Sequence, residues 1–472
     1  MIGNTPKDNI SDYILRILKN AGFLLLGNVG VRLLTALATI LVARTIGATA
    51  YGTLAVALAF SNLASFCTDL GLSQTFIREG SKPNAHLPSL TLSALILRIS
   101  FGLVTSIIIL LIVPILYENN ILKETILWAT IPAIWGVAFQ GLGAAYFQLT
   151  EQMHLTALIR AISSLFTAIL LVSGIFLSWD VKNFAFAYGL GQFVGGIFAL
   201  LVLIRSCSLK GKWNITITKE LGYFTLGGVF SILIPQMGPL ILERVASLQE
   251  VGYFSAAYRI PVILYLIPGT IAGAFYPVLF KQGYIGKDRN TRFVKIQMQI
   301  MCILGVTFAL PFALYPTVFI NIIFGKEWGT GTSVETLRIL AWLVLVHSIT
   351  IPLGDALTTR NFQKRRIICV GFSIVFGAVV HILLGMQLGA VGSAIAVIST
   401  EVIMLFCFMI SLAGSVSIIR QSLYYITLGM IIYIISYLLS ISVLDPLVGI
   451  WFPSLIYLLA SMLIFKKKSI SF

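Results

Sequence analysis

Residues 26–71 read LGNVGVRLLTALATILVARTIGATAYGTLAVALAFSNLASFCTDLG. The stretch holds two apolar runs, each long enough to cross a bilayer, with Arg32 deep inside the first and Asp69 near the end of the second. An arginine about 11 residues into a helix of roughly 23 sits about 16 Å down, near the midplane of a hydrocarbon layer about 30 Å thick. Insertion of such a charge costs about 2.5 to 3.5 kcal/mol, so its side chain is expected to face a protein interior or a wet cavity.

Composition places the whole chain in the same setting. Of 472 residues, 58% are apolar and 10% charged, and the mean hydropathy is +0.97. A soluble domain carries about a quarter of its residues as charges, so an all-α polytopic membrane protein is predicted. The net charge of +15 would suit a nucleic-acid binder only if it clustered on a soluble face. Here the cations fall in short segments between apolar runs, which excludes that class. Cys67, Cys302, Cys369 and Cys407 lie in apolar runs and Cys207 in a basic loop, with no C-x-x-C pair, so neither a disulfide nor a metal site is expected.

Apolar runs of membrane-crossing length recur about 14 times: roughly 21–44, 49–71, 90–116, 126–149, 155–178, 184–204, 221–242, 253–275, 298–323, 339–358, 367–385, 391–412, 423–441 and 447–465. Every second loop is rich in Lys and Arg, including Arg78, Lys82, Arg205, Lys210, Lys212, Lys281, Lys287, Arg360, Lys364, Arg365 and Arg366. The positive-inside rule then puts both termini in the cytoplasm. Residues 1–20 read as a cytoplasmic amphipathic segment, with Ile10, Tyr13, Ile14, Ile17 and Leu18 at helical spacing. They carry Asp8 and Asp12 and lack the marks of a cleavable signal. The expected organisation is an N-lobe over 21–204 (spans 1–6), a basic cytoplasmic linker over 205–220, a C-lobe over 221–412 (spans 7–12), and 413–472 as two further spans with a basic tail.

A weak repeat supports two lobes. RTIGATAYGTLAVALAF from Arg44 aligns with RVASLQEVGYFSAAYRI from Arg244, so that Gly52 meets Gly252 and Ala57 meets Ala257. The aligned segments belong to the second and eighth spans, an even offset that preserves orientation and predicts a parallel pseudo-repeat of two six-helix lobes. Prolines crowd the second half, and Pro235 and Pro239 make ILIPQMGPLIL a predicted bent or broken span. Gly191 with Gly195, and Gly385 with Gly389, read as close helix-packing pairs.

The phrase from Arg44 to Ala59, with DLGL at Asp69 to Leu72 and LERVASLQEVGYFSAAYRI from Leu242, resembles the oligosaccharide flippases, the O-antigen flippase-like polysaccharide-exporter branch of the multidrug/oligosaccharidyl-lipid/polysaccharide exporter superfamily. The resemblance implies a non-enzymatic transporter in the plasma (inner) membrane of a bacterium or archaeon. It would turn a polyprenyl-diphosphate-linked oligosaccharide between leaflets by alternating access, for surface polysaccharides such as lipopolysaccharide, with membrane lipid and other assembly proteins as its surroundings. Its drug-antiporter relatives usually carry an acid in the first helices, where this chain has Arg32. With no G-x-x-x-x-G-K-[ST] motif, no ATPase is expected within the chain, and no cofactor.

A diphosphate head group calls for arginines, whose fork of donors matches phosphate oxygens. Arg32, Arg259 and Arg98 are the predicted cargo contacts in the cavity; the related lipid II flippases place functional arginines on their first and eighth helices. The competing reading is an internal ion pair of Arg32 or Arg98 with Asp69. Glu401, mid-span, is the candidate for ion coupling, and Asp69 and Asp355 are read as lobe-fastening residues. His347 and His381 are read as isolated packing histidines, and Trp128, Trp179, Trp328, Tyr117 and Tyr188 as members of interfacial belts. Two other functions remain in competition: an ion-coupled small-molecule antiporter of the same superfamily, and a membrane polysaccharide polymerase or ligase. The latter would need a sizeable outer loop, and no loop exceeds about 20 residues.

Overall fold

The computed structural model describes the backbone of residues 10–218, 221–285, 287–329, 331–440 and 446–469, and most of their side chains from residue 33 onward. The expected surface lie of residues 1–20 and the side chain of Arg32 fall outside the described residues.

The described chain is helical, without strands. In order come α1 (Ile10–Phe66), α2 (Leu72–Gly80), α3 (Leu87–Leu116), α4 (Asn120–Leu149), α5 (Met153–Phe176), α6 (Val181–Ser206), α7 (Leu221–Val245) and α8 (Leu248–Leu264). There follow α9 (Leu266–Ile285), α10 (Lys287–Leu314), α11 (Pro316–Ile323), α12 (Thr332–Leu340), α13 (Leu343–Thr359), α14 (Gln363–Ser411), α15 (Ser415–Ser440) and α16 (Pro446–Ser469). Among the described residues 10 helices are long and apolar enough to cross a membrane, or 11 when α8 and α9 count as one bent span. Two long helices each contain two predicted spans. Gly47 breaks α1 with φ 78°, and Gly389 breaks α14 with φ 56°. Only glycine enters such backbone without strain, so these two residues break the helix where hydropathy places a loop.

Three sequence expectations are revised. The expected break at Pro235 and Pro239 does not occur: α7 runs unbroken through both. The break falls one span later, where α8 and α9 meet at Tyr265 with a bend of 43°. Pro268 enters α9 two residues after its start, where a missing N–H removes no helical hydrogen bond. The second span stops at Phe66, five residues short, and the short helix α2 follows after a left-handed Gly71. Gly389 serves as the turn between two spans and not as a packing residue. Gly191 and Gly195 do pack closely, against Thr167 and Ser163 of α5.

The chain divides into two compact units. Among the described residues, the first comprises those up to 42 and between 57 and 233; the second comprises 43–56 and those from 234 onward. In the first unit α4 and α6 make the broadest contact, with α5 on α6 and α3 on α4. Small residues permit this crossing. A methyl group on Gly196 would stand 2.6 Å from the Gly136 carbonyl oxygen, so the two backbones touch where neither has a side chain. Leu72 and Phe76 of α2 pack with Leu90, Leu142, Phe147 and Ile159 in the first unit's core.

The second unit is built around α10, which is covered by α9, α13, α15 and α16. Val294, Met298, Cys302, Val306 and Leu310 line its buried face at helical spacing. Residues 43–56 join this unit through α8. An added Cβ at Gly52 would meet the Leu248 carbonyl and stand 2.9 Å from the Gly252 nitrogen, while one at Gly252 would meet the Ala48 carbonyl.

Candidate functional site

In the second unit Arg259 is half-buried on α8, and its guanidinium reaches to 3.5 Å from the Tyr51 hydroxyl. Tyr51 packs edge-on against Trp328, with ring centroids 5.9 Å apart, and Tyr253 and Phe324 close around the same indole at 6.0 and 5.4 Å. Trp328 is 3% exposed, so it is a core aromatic and not a member of an interfacial belt. Tyr117 is likewise buried. Trp128 keeps the expected exposed position, with Lys182 over its ring at 5.7 Å.

Arg98 has a different setting, in the first unit. It is 1% exposed. One guanidinium nitrogen donates to the Ala138 carbonyl at 3.0 Å, and the other pairs with Asp69 and donates to Ser73 Oγ at 2.7 Å. Ser73 in turn donates to Asp69 Oδ1 through its hydroxyl at 2.7 Å and its backbone N–H at 3.1 Å, which ties the carboxylate to the first turn of α2. Gly141 leaves the guanidinium its place on α4, since a Cβ there would collide with it. The Nε of Arg98 is buried without a partner. A charge this enclosed is held by its partners, so the geometry favours fastening over cargo contact here.

Asp355, 6% exposed, accepts from Gln297 Nε2 at 3.1 Å. One turn further on, Arg366 donates to Thr358, and Arg360 donates to Asn290 at 2.7 Å and Thr291 at 2.8 Å. Buried Asn290 also donates to the Leu279 carbonyl at 3.0 Å. These bonds tie the ends of α9, α10 and α13 together.

Glu401 on α14 meets His347 on α13, with Nε2 2.8 Å from Oε1. This corrects the reading of His347 as an isolated packing residue. Two acceptor-bearing side chains on separate helices leave no mark in linear spacing, which is why the pair went unread. His381 is buried and edge-on to Phe254, but its Nδ1 has no hydrogen-bond partner, so it packs without being satisfied. Also unread was a neutral polar group in the first unit, in which Gln140 donates to the Gln192 carbonyl at 2.8 Å and lies 3.3 Å from Ser163. Arg259, Arg98 and Glu401 thus lie in three separate surroundings. Among the described residues no group of His, Cys, Asp and Glu has the form of a metal site.

A chain of apolar helices of crossing length, two of them broken at glycines and with arginine and carboxylate inside them, is a multi-pass membrane protein by architecture. Solved structures agree on the fold. The lipid II flippase MurJ in an inward closed conformation superposes with a TM-score of 0.73 at 16% identity, covering 94% of this chain and 99% of that one. A multidrug resistance MATE family transporter of the MOP superfamily, inward-facing, gives 0.70 at 15% identity over 83% of this chain and 96% of that one. A MOP superfamily transporter from Pyrococcus furiosus gives 0.62 at 14% identity, with 86% and 96% covered. None of the curated proteins compared with the chain matches it. The family profile described as polysaccharide biosynthesis protein matches residues 17–282, more than half of the chain, and the chain belongs to that family.

Proposed function

We propose that the protein is a flippase that moves a polyprenyl-diphosphate-linked oligosaccharide across the plasma membrane of a bacterium or archaeon, with both termini in the cytoplasm. The observation that carries the reading is Arg259, a guanidinium held half-buried on an apolar helix beside Tyr51. A fixed cation inside the membrane favours an anionic cargo, and a diphosphate offers the oxygens that its donors fit. Membership of the polysaccharide biosynthesis family points to a glycan carrier, and the fold is shared with a lipid II flippase. Arg32 is the matching cation on the first span. Arg98 and Asp69 fasten the first unit, and Asp355 the second.

The test is complementation of a flippase-deficient strain. Arg32→Ala and Arg259→Ala are each expected to abolish it at normal protein levels; full complementation by both variants overturns the reading. A reporter fused in the loop at Lys287 is expected to report a cytoplasmic position. The MATE-like fold favours a second reading, a small-molecule antiporter. In that case both arginine variants would keep drug efflux and the native strain would lose no surface glycan on deletion.

A further inference from the structure

Glu401 is 3% exposed, and while Oε1 meets His347 Nε2, Oε2 is buried with no hydrogen-bond partner. A bare carboxylate oxygen in apolar surroundings is far more costly than a neutral carboxyl group there. Across His347 lies the ring of Tyr265, with centroids 5.1 Å apart and an interplanar angle of 75°, and its hydroxyl is also buried without a partner. Tyr265 is the one residue between α8 and α9, the point of the 43° bend. Among the described residues, two further titratable groups interact electrostatically with this cluster: Tyr258 of α8 with Glu401, and Asp355 of α13 with Tyr265. A hinge residue therefore rests on a buried acid–base pair that has one unused carboxylate oxygen.

We propose that His347 and Glu401 form a proton-binding pair whose occupancy is coupled to the α8–α9 bend. The inference builds on the transport reading, for which it supplies the coupling ion. With neutral imidazole and charged carboxylate the pair carries one negative charge. One proton from water, forming a single O–H or N–H bond, brings it to neutrality. The neutral pair suits the dry packing beneath Tyr265; the charged pair draws water toward Oε2, and water reaches it only if Tyr265 and the bend move. An alkali cation asks for several oxygen ligands, whereas the carboxylate here is paired with an imidazole nitrogen and faced by phenols, so the proton is the ion that fits.

Infrared difference spectroscopy of the purified full-length chain, acidified in sodium-free buffer, tests this directly. A carboxylic-acid carbonyl band is expected to grow on acidification, to vanish in Glu401→Gln, and to change midpoint by about one pH unit, tenfold in proton affinity, in His347→Gln. A tyrosine ring component is expected alongside it and lost in Tyr265→Phe. Persistence of the carboxyl band in Glu401→Gln overturns the proposal, as does an equal spectral change on adding sodium at constant pH. If Glu401→Gln fails to fold, His347→Gln decides, since it leaves the carboxylate in place: an unmoved midpoint overturns the pair. Retention of the tyrosine component in Tyr265→Phe overturns the coupling to the bend. A chain that moves no lipid-linked oligosaccharide would still give the band, while a flippase without this site would complement as Glu401→Gln.

Discussion

Gly52 and Gly252, two hundred positions apart, lie backbone against backbone: a side chain on Gly52 would meet the Leu248 carbonyl, and one on Gly252 the Ala48 carbonyl. The partners are themselves two hundred positions apart. Each residue of one segment therefore touches the counterpart of the other's neighbour, which is the reciprocity a two-fold axis produces. The same two glycines align in the sequence repeat, so the internal similarity marks a contact. In a membrane, where apolar side chains gain little from leaving lipid, close backbone approach at small residues is a main source of helix association.

A methyl at either glycine should force the two helices apart. Overpacking of this kind costs about 1–3 kcal/mol. Gly52→Ala and Gly252→Ala are each expected to lower the melting temperature of the purified protein. Gly102→Ala is the control, since its methyl would make ordinary contacts of 3.6 Å with Trp135. Equal melting of all three variants would show that the crossing carries no stability.

The turn between the two halves of α14 is pinned by Glu250, whose Oε2 accepts from the Ala390 N–H at 2.8 Å and whose Oε1 accepts from Thr332 at 3.2 Å. Gly389 has φ 56° with that carboxylate close above it. Gly389→Ala thus meets both backbone strain and a clash, and is expected to cost about 1–3 kcal/mol. Glu250→Gln, which keeps an acceptor for one of the two donors, should cost less than Glu250→Ala. Thermal denaturation of the three variants gives the order.

Glu79, at the end of α2, lies outside the spans. The hydrogen bond from Lys82 at 2.5 Å, reinforced by Arg78 at 3.0 Å, holds its carboxyl below the usual carboxylate range. A lowered folded-state value means stability that is complete above the ordinary carboxylate pKa and is lost as pH falls through the folded one. The protection factors of the α2 amides, with the intrinsic pH dependence of exchange divided out, are therefore expected to fall only on strong acidification, and that fall to disappear in Glu79→Gln. An α2 that loosens equally in both proteins would remove Glu79 from its attachment.

What hydropathy reveals here is that apolar helices of crossing length recur along the chain, because a span is a local property of about 20 residues; the expected count of about 14 stands against 10 or 11 such helices among the described residues. Gly47 and Gly389 fall where those patterns place loops, and the flanking runs merge into long helices only because each break is one residue wide. At Pro235 and Pro239 the helix continues, whereas α8 and α9 meet at 43° at Tyr265: a proline removes one hydrogen bond but need not end a helix. Charged residues were legible as costs, and only in part as pairs. Arg98 and Asp69 were candidates for an ion pair from their helices' positions, whereas nothing in the spacing of His347 and Glu401 predicts that α13 and α14 set them 2.8 Å apart.

The last prediction separates the arginines by what surrounds them. Arg98 is enclosed by Asp69, Ser73 and the Ala138 carbonyl, so removing the carboxylate leaves the guanidinium buried and uncompensated, and removing the guanidinium leaves a half-buried carboxylate without its cation. Arg98→Met and Asp69→Asn should each cost about 3–5 kcal/mol, and the double variant less than their sum, because it leaves no bare charge. Arg259 reaches its Tyr51 hydroxyl only at 3.5 Å, at the limit of a hydrogen bond, so Tyr51→Phe should change stability by less than about 0.5 kcal/mol. Arg259→Lys keeps the charge and loses the planar fork, and is expected to transport at a reduced rate. Melting curves and complementation measured on the same variants therefore point in opposite directions for the two residues: Arg98 variants that stay folded should still complement, while Arg259→Ala should fold and fail. A folded Arg98→Met, Asp69→Asn double variant that does not complement would move Arg98 from fastening to cargo contact.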